Sequence, residues 1–432
     1  DGVGIQMDGT GGTANVVMLK IVGSGAGSTG KGVDVQGMGE MTLNKVGIDG
    51  FKMGVHARSG KVNINGDSTI TVANSGTGIM VSGNGGAVSM MQGKIMGGGG
   101  SGMYGVQGMG GTVTLTSVGI EGFKKGVEAT GGKLVMMGGT VTFEDGRGNF
   151  GVKVGGTGTA DLTKVTIKGT GSGQGTGVIM ESSKTMTEVD ILQVEKGVEV
   201  QRGTLDMMGG TVTFTGGAGN YGVHVQNGAT ANLTSVKIKG TGSGQGTGVY
   251  VEGTGSANLM GGTISNVESG VYATGMGKLT IKGEAKITFT RDYGVKVGGT
   301  VNATITGAEI KGGGATGTGV VMESSKTMTM TEVGISKVKV GVDVQRGNLT
   351  VIGGTMTDVG MGISMSGSGT LTVNSGAITF KGEHGVKVGG TAMADIMGAT
   401  IKGSGKGTGV WMESSGTLTM ERVTISNVEK RC

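Results

Sequence analysis

The sequence predicts an all-β solenoid, a right-handed parallel β-helix of about 18 coils, each with roughly 24 residues and three short strands. A Gly-Val-x pattern, as in Gly151-Val152-Lys153, returns along the whole chain at this period. Apolar residues alternate with polar ones in short runs that have no helical repeat. Glycine supplies 101 of 432 residues and proline none, which suits a chain of strands and tight turns without collagen triplets.

Each coil is counted by the apolar anchor that follows the recurring glycine. The right-handed winding follows from the usual chirality of parallel strand connections. Leucine-rich repeats have a similar period, but their Leu-x-x-Leu-x-Leu-x-x-Asn signature is missing. The predicted anchors are Val3, Val33, Val55, Ile79, Met103, Val127, Val152, Val178, Val198, Val223, Val249, Val271, Val295, Val320, Val342, Ile363, Val386 and Val410.

The unbroken period predicts a single β-helical domain over residues 1–432. Residues 1–150 form diverged coils, and residues 151–432 form three-coil super-repeats in which Val178, Val249 and Val320 lie 71 residues apart. One extra coil is inserted near Ile363. The segments 181–187 and 323–329 are identical, which indicates recent duplication.

Three strands per coil are read from the alternation in the coil at Gly151, over residues 151–154, 160–162 and 164–168. The predicted inward residues there are Val152, Val154, Leu162, Val165 and Ile167. Phenylalanines that recur after threonine are expected to stack in the core: Phe143, Phe214, Phe289 and Phe380. A partly buried packing role is expected for the equivalent residues Phe150, Tyr221, Tyr293 and His384.

Both ends of the sequence resemble cut ends of a coil. Residues 428–430 repeat residues 194–196 and the chain then stops, so we expect a segment of a longer protein or ends that meet a partner. Cys432 is the only cysteine, which excludes an intramolecular disulfide. The net charge of +5 is modest for this length and does not favour a nucleic-acid partner.

No residue constellation specifies a reaction. His56, His224 and His384 are too far apart in the coils to share a metal ion, and we expect surface histidines with no nucleophile nearby. Glu181, Glu252, Glu323 and Glu413 occupy corresponding positions. At three or more coils apart, roughly 14 Å, they exceed the roughly 5–9.5 Å of glycosidase carboxylate pairs. The sequence therefore favours a non-enzymatic protein without cofactor or metal, and a polysaccharide-degrading enzyme remains the alternative.

Outward side chains provide the candidates for partner binding. Lys153, Lys296 and Lys387 share the position after the anchor, and Lys168, Lys239, Lys311 and Lys402 share a strand end. Two such basic rows suit a sulfated glycan or an acidic receptor surface, although lysines on an exposed sheet also serve solubility. Tyr250, Tyr272 and Trp411 point outward on the same face, where aromatic side chains favour contact.

The repeats resemble a known family of bacterial proteins. The residues that carry the likeness are 279–283, 287–290, 292–299 and 420–428. These units are similar to the passenger domains of type V autotransporters, most closely to the Bartonella passengers that include secreted angiogenic factors. The resemblance implies a protein that is secreted or displayed on the bacterial surface after export through the outer membrane. A cleaved signal peptide and a C-terminal translocating β-barrel, the only membrane part, would flank it.

The resemblance also implies a function. It points to a virulence factor that binds host cells, with a vascular endothelial growth factor receptor as the host surface protein and angiogenesis as the outcome. An adhesin for host matrix or sulfated glycans is the alternative within the same class, and a structural stalk is a further one. No receptor-binding motif is visible that would assign these roles to particular residues.

Overall fold

The computed structural model describes residues 2–25, 29–100, 102–171, 173–242, 244–314 and 316–429. Within these ranges the chain forms 47 β-strands and one 3₁₀ turn at Gly98–Gly100. The chain divides into two compact units, Asp1–Thr215 and Gly216–Cys432. The single domain over residues 1–432 stays a prediction. Cys432 and residues 430–431, on which the expectation of a cut end depends, lie outside the described residues.

The first unit contains 22 strands in chain order. They are β1 (Val3–Met7), β2 (Thr13–Val17), β3 (Lys20–Val22), β4 (Lys31–Val35), β5 (Glu40–Asn44), β6 (Gly47–Ala57), β7 (Lys61–Asn65), β8 (Thr69–Val81), β9 (Ala87–Met91), β10 (Lys94–Gly97), β11 (Gly102–Thr116), β12 (Gly119–Met137), β13 (Thr140–Phe143), β14 (Phe150–Val154), β15 (Thr159–Thr163), β16 (Thr166–Gly169), β17 (Thr176–Met180), β18 (Lys184–Thr187), β19 (Asp190–Val194), β20 (Lys196–Val200), β21 (Thr204–Met208) and β22 (Thr211–Thr215).

The second unit contains the remaining strands, most of them five residues long. They are β23 (Tyr221–Val225), β24 (Thr230–Thr234), β25 (Lys237–Thr241), β26 (Thr247–Val251), β27 (Ser256–Met260), β28 (Thr263–Val267), β29 (Ser269–Ala273), β30 (Lys278–Lys282), β31 (Lys286–Phe289), β32 (Tyr293–Val297), β33 (Asn302–Thr306), β34 (Glu309–Lys311), β35 (Thr318–Met322), β36 (Thr327–Thr331), β37 (Gly334–Val344), β38 (Asn348–Ile352), β39 (Thr355–Met365), β40 (Thr370–Asn374), β41 (Ala377–Phe380), β42 (His384–Val388), β43 (Met393–Met397), β44 (Thr400–Lys402), β45 (Thr408–Met412), β46 (Leu418–Glu421) and β47 (Thr424–Ser426).

Every described strand pairing is parallel and joins one coil to the next, so each unit has three parallel ladders. The first ladder contains the anchors, and in the second unit it runs β23-β26-β29-β32-β35-β37-β39-β42-β45. The second ladder there starts at β24 and the third at β25. Long strands such as β37 pass from the third ladder of one coil into the first ladder of the next. This pairing is the predicted parallel β-helix.

The alternation of each strand sets which side chains enter the core. In β15 the residues Ala160 and Leu162 are buried between exposed or half-buried polar neighbours, as a period of two requires. The predicted inward residues Val152, Val154, Leu162, Val165 and Ile167 are all buried. The third strand begins at Thr166 and not at Lys164, because Lys164 takes a left-handed φ of 55° at the corner before it.

Sixteen of the 18 predicted anchors lie on the first ladder, and two predictions were wrong. Ile5, not Val3, is the register partner of Val33, and Val106, not Met103, is the partner of Ile79. Both errors came from a second glycine before the true anchor, Gly2 three residues before Ile5 and Gly102 four residues before Val106. A coil is present at Ile363, which stacks between Val342 and Val386, and its origin as an insertion stays a prediction.

Aromatic rings lie in the core at the positions predicted from the sequence. Phe143, Phe214, Phe289 and Phe380 are fully buried. Of the equivalent residues before the anchors, Phe150 and Tyr221 are buried, while Tyr293 and His384 are half-buried. The predicted packing roles of both sets are confirmed.

The glycine before each anchor faces a crowded part of the core. A Cβ on Gly151 would overlap Ile167 Cγ2 and lie 2.7 Å from the carbonyl oxygen of Gly177 in the next coil. The same overlap with an isoleucine of the third ladder recurs at Gly294 and Gly319. The Gly-Val motif therefore exists because only glycine lets the first strand approach the third strand so closely.

Candidate functional site

The outward residues that follow the anchors form one row on the first ladder of each unit, which we call the outer row. Register pairs place each member beside its counterpart in the next coil. In the first unit the outer row is Gln6, Asp34, His56, Met80, Gln107, Glu128, Lys153, Ile179 and Glu199. In the second it is His224, Tyr250, Tyr272, Lys296, Val321, Asp343, Ser364, Lys387 and Trp411.

The three predicted lysines of the outer row each pair with a glutamate from the next coil. The Nζ to Oε distances are 2.9 Å for Lys153–Glu181, 2.8 Å for Lys296–Glu323 and 3.1 Å for Lys387–Glu413. The glutamate stands three residues after the next anchor in every case. These pairs balance the lysine charges locally, and the lysines within each unit are separated by uncharged or acidic members of the row. Binding by these lysines stays a prediction.

The second lysine set does not form a continuous stripe either. On the third ladder of the second unit, Lys239 lies beside Ser265. Lys311 lies between Thr288 and Ser336. Each of these lysines is thus an isolated charge among hydroxyl side chains.

Aromatic rings of the second unit stack along the outer row. The ring centroids of His224 and Tyr250 are 4.7 Å apart, and those of Tyr250 and Tyr272 are 5.3 Å apart, each pair inclined by 16°. Tyr221 and Tyr293 close the stack edge-on, at 4.6 Å from His224 and 6.0 Å from Tyr272. The faces of Tyr250 and Tyr272 are therefore covered by neighbouring rings, and only their edges point outward.

Glu252 contacts the polar atoms at the edge of this stack. One carboxylate oxygen lies 2.9 Å from Nε2 of His224, and the hydroxyl of Tyr250 donates to the other at 2.9 Å. Burial, followed by the hydrogen bond to Glu252 and its charge, raises the pKa of Tyr250 to about 12.

Removing the charge of Glu252 is expected to lower the pKa of Tyr250 towards the ordinary tyrosine value. Glu252→Gln should shift one tyrosine transition to lower pH, because the tyrosinate no longer faces a carboxylate. An ultraviolet titration of tyrosinate measures this, and Tyr250→Phe identifies the transition. Glu413→Gln is the control, since Glu413 belongs to another coil. An unchanged titration in Glu252→Gln would contradict the role given to Glu252.

Trp411 is the one predicted aromatic contact that is well exposed, at 37% of its surface. Its ring lies 5.5 Å from that of His384, and hydrogen bonding from Trp411, followed by Lys387, lowers the pKa of Glu413. Trp411 borders an open cleft of about 520 Å³ that is also lined by Lys381, His384 and Lys406.

A second cleft of the same unit, of about 540 Å³, shares Lys381 with the first and adds Lys337 and Lys339. Lys381 pairs with Asp358 at 2.5 Å. Among described carboxylates, none lies within ion-pair distance of Lys337, Lys339 or Lys406. We call these two clefts, with Trp411, the lysine clefts. Sequence reasoning missed them because it considered only the residues after the anchors and at the ends of the third strands, whereas Lys337 and Lys339 lie within β37 and Lys381 and Lys406 lie between strands.

In the first unit Asp34, His56 and Ser82 meet across three consecutive coils. Nδ1 of His56 is 3.0 Å from Oδ1 of Asp34, and Nε2 is 2.9 Å from Oγ of Ser82. The contact to Asp34 is a close approach without hydrogen-bond alignment. His56 is 4% exposed and Asp34 1%. The expectation of a surface histidine without a nearby nucleophile is therefore wrong for His56, since the second, third and fourth coils bring these groups together.

His224 also differs from the expected surface histidine, because the aromatic stack and Glu252 cover it and leave it buried. In both histidines the outward direction was predicted correctly. Residues of neighbouring coils contribute to the cover of both, Asp34 and Ser82 at His56 and Tyr250 and Glu252 at His224.

Hydrogen bonds around Asp34 keep it charged. Burial alone raises its pKa, but hydrogen bonds from Lys31 at 2.6 Å and Gln36 at 2.8 Å outweigh burial and lower it. Burial lowers the pKa of His56, and the charge of Asp34 offsets this only in part. The cluster thus holds an ionised carboxylate beside a neutral imidazole at neutral pH.

The search for other kinds of site was negative. Across the described ranges no group of three or more His, Cys, Asp or Glu side chains is placed to hold a metal ion. The described part of the chain also has no helix whose length and apolar character would let it span a membrane.

The comparison with known families concerns the fold. Residues 247–379 match the family described as right handed beta helix region. No curated protein sequence matches the chain. Proteins with this fold include polysaccharide lyases and hydrolases as well as proteins that are not enzymes, so the match does not assign a reaction. Together with the parallel ladders of both units, the match confirms that the chain has the predicted right-handed parallel β-helix fold.

Proposed function

We propose that this chain is a binding protein of the bacterial surface or its surroundings that attaches to host cells through an acidic glycan. The observation that carries the proposal is the lysine clefts of the second unit. They place Lys337 and Lys339 around one open cleft and Lys406, with the exposed Trp411, around the other. Sulfate groups are held by such flexible cations, and an exposed tryptophan supplies the apolar contact that sugar rings and receptor surfaces use.

The finer part of the proposal comes from the resemblance to Bartonella passengers. It gives a secreted or surface-displayed virulence factor that acts on a vascular endothelial growth factor receptor and promotes angiogenesis. The lysine clefts favour the adhesin alternative, because their chemistry fits a sulfated glycan without any further partner. Binding of a glycan at the lysine clefts is compatible with binding of a receptor elsewhere on the chain.

Charge reversal in the lysine clefts is expected to weaken glycan binding. Lys339→Glu with Lys406→Glu should reduce affinity for heparin about tenfold or more, since two cations are replaced by anions at the contact. Lys278→Glu is the control, because Lys278 is an exposed lysine on the second ladder of the same unit. Binding is measured by calorimetry and its salt dependence, and equal losses in both proteins would mean non-specific attraction.

Cell experiments separate the alternatives. The chain is added to endothelial cells with and without competing heparin, and attachment and receptor phosphorylation are both measured. Phosphorylation would support the receptor ligand, and heparin-sensitive attachment alone would support the adhesin. A chain that neither attaches nor activates would leave the structural stalk and contradict the proposal.

A further inference from the structure

Asp34, His56 and Ser82 form a linear arrangement of carboxylate, imidazole and hydroxyl on neighbouring coils of the first unit. We propose that Ser82 is the nucleophile of a hydrolytic site for small, exposed carboxylic esters, with His56 as its general base and Asp34 as the residue that positions His56. The proposal adds an activity to the binding function and depends on a different unit of the chain.

The distances suit proton transfer. Nε2 of His56 lies 2.9 Å from Oγ of Ser82, within the roughly 2.6–3.2 Å expected of a nucleophile and its base. The register places Asp34 and His56 directly opposite each other on β4 and β6. Asp34 and His56 are buried, while Ser82 is half-buried at the end of β8. The hydroxyl is thus the member of the group that a substrate can reach.

The charge state of each group fits its role. A general base must be neutral before it accepts a proton, and burial favours neutral His56. Lys31 and Gln36 bind the Oδ2 atom of Asp34 and leave Oδ1 facing the imidazole. A charged carboxylate at that place stabilises the imidazolium that forms when Ser82 gives up its proton.

Ser82 occupies a position that holds glutamate in other coils, and this difference distinguishes the group around His56. Ser82 stands three residues after its anchor, where Glu181, Glu252 and Glu323 stand in other coils. There the glutamate pairs with an outer-row residue of the preceding coil, which is Lys153, His224 or Lys296. Beside His56 the hydroxyl of Ser82 takes the place of that glutamate, and the carboxylate of Asp34 lies on the opposite side of the imidazole ring. This arrangement gives a nucleophile, the hydroxyl of Ser82, and a base, the imidazole of His56, in place of the glutamate contact.

The turn after Ser82 supplies donors for an oxyanion. It has the sequence Gly83-Asn84-Gly85-Gly86 and is closed by a hydrogen bond from the amide of Gly86 to the carbonyl of Gly83 at 3.1 Å. Among the described backbone hydrogen bonds, the amides of Gly83 and Asn84 have no acceptor. Backbone N–H groups next to the nucleophile are the usual stabilisers of the tetrahedral intermediate.

The reaction requires only water as a co-reactant. Oγ of Ser82 attacks the ester carbonyl carbon while its proton passes to Nε2 of His56. The intermediate then breaks the bond to the alcohol, which leaves with the proton from His56, and Ser82 carries the acyl group. Water attacks the acyl carbon, its proton passes through His56 to Oγ, and the carboxylic acid departs. The half-buried position of Ser82 suits short acyl groups such as acetyl.

The test uses the full chain with p-nitrophenyl acetate and with a fluorophosphonate probe. We expect hydrolysis above the rate in buffer and labelling of Ser82, located by mass spectrometry. Ser82→Ala should lower the rate about a hundredfold or more and abolish the label. Ser182→Ala is the matched control, because Ser182 is a half-buried serine whose hydroxyl donates to the carbonyl of Gly158 at 2.6 Å. It should retain both.

A pH profile distinguishes catalysis from a structural role. The rate should rise as His56 loses its proton, with a midpoint below pH 6.5 because burial lowers the pKa of His56. The charged groups that act on His56 are Asp34, Lys31 and Arg58. Since Asp34 raises the pKa of His56, Asp34→Asn should lower the rate and move the midpoint to lower pH.

Several outcomes would overturn the proposal. One is a wild-type chain that is neither labelled nor active, and another is a Ser82→Ala chain that hydrolyses the ester at the wild-type rate. If Ser82→Ala fails to fold, labelling of Ser82 in the unmodified chain decides the question. Heparin binding is measured separately, so its loss or survival does not affect this result.

Discussion

Replacing Lys184 by methionine should stabilise the folded chain at pH 7 by several kcal/mol. Lys184 is 3% exposed, and its amino group has no hydrogen-bond partner among the described residues. It lies on the second ladder between Ala160 and Leu205, which both belong to the core. A buried ammonium without a partner is costly, whereas methionine fills the same space without a polar atom.

The duplicated repeat explains how a lysine entered the core. Residues 181–187 and 323–329 are identical, but the first copy lacks two residues before the next strand. In the second copy Met328 is the partner of Ala303, and Lys326 is exposed. In the first copy the strand slips by two residues, and Lys184 takes the place that Met328 occupies in the other.

The effect should depend on pH in a defined direction. Burial lowers the pKa of Lys184 from 10.5 to about 7. The unfolded chain therefore binds more protons than the folded chain between these values, and stability contributed by this site increases as the pH rises from 7 towards 10.5. The total change is on the order of 5 kcal/mol, from about 1.4 kcal/mol for each pH unit.

Urea unfolding of the wild type, Lys184→Met and Lys326→Met measures this at pH 7 and at pH 9. Lys326→Met changes the equivalent but exposed lysine, so its free energy of unfolding should stay within about 0.5 kcal/mol of the wild type. The gain from Lys184→Met should be largest at pH 7 and smaller at pH 9. A gain that is the same at both values, or absent, would show that Lys184 is not a buried titrating group.

Replacing Gly294 by alanine should destabilise the second unit by about 3 kcal/mol. Its Cβ would overlap Ile310 Cγ2 and lie 2.7 Å from the carbonyl oxygen of Gly319. The ring of Phe289 is 3.2 Å from the same point. Backbone and a packed core surround the new methyl group, so one coil has to move relative to the next, and overpacking of this kind costs about 1–3 kcal/mol or more.

Gly334→Ala is the matched control in the same unit. Gly334 also lies in a strand, but its nearest atoms to a new Cβ are at 3.9 and 4.0 Å. Alanine there should be neutral or slightly stabilising, by roughly 0.5 kcal/mol, because it restricts the unfolded chain. Thermal unfolding followed by circular dichroism compares the two variants. Equal effects would mean that the approach of the first strand to the third does not require glycine.

The sequence alone determined the fold class, the period, most of the anchors and the inward residues of the coil at Gly151. Strand alternation and the glycine before each anchor are local features of the sequence. Because they recur along the chain, the assignment of one coil supports the assignment of the others. Phe289 and Val152 were assigned to the core on this basis and are buried. The outward direction of Lys153 and Trp411 follows from the same alternation.

Contacts between coils needed the tertiary structure. His56 and Ser82 are 26 residues apart, and they meet because the intervening coil has a length that aligns them. Coil lengths vary, so a gain or loss of two residues changes which side chains are neighbours, as Lys184 shows. The lysine clefts also depend on contacts between coils, because Lys339 and Lys381 come from different coils and line the same cleft. A period therefore determines the ladder, but the length of each coil determines which groups meet on it and what chemistry they can perform.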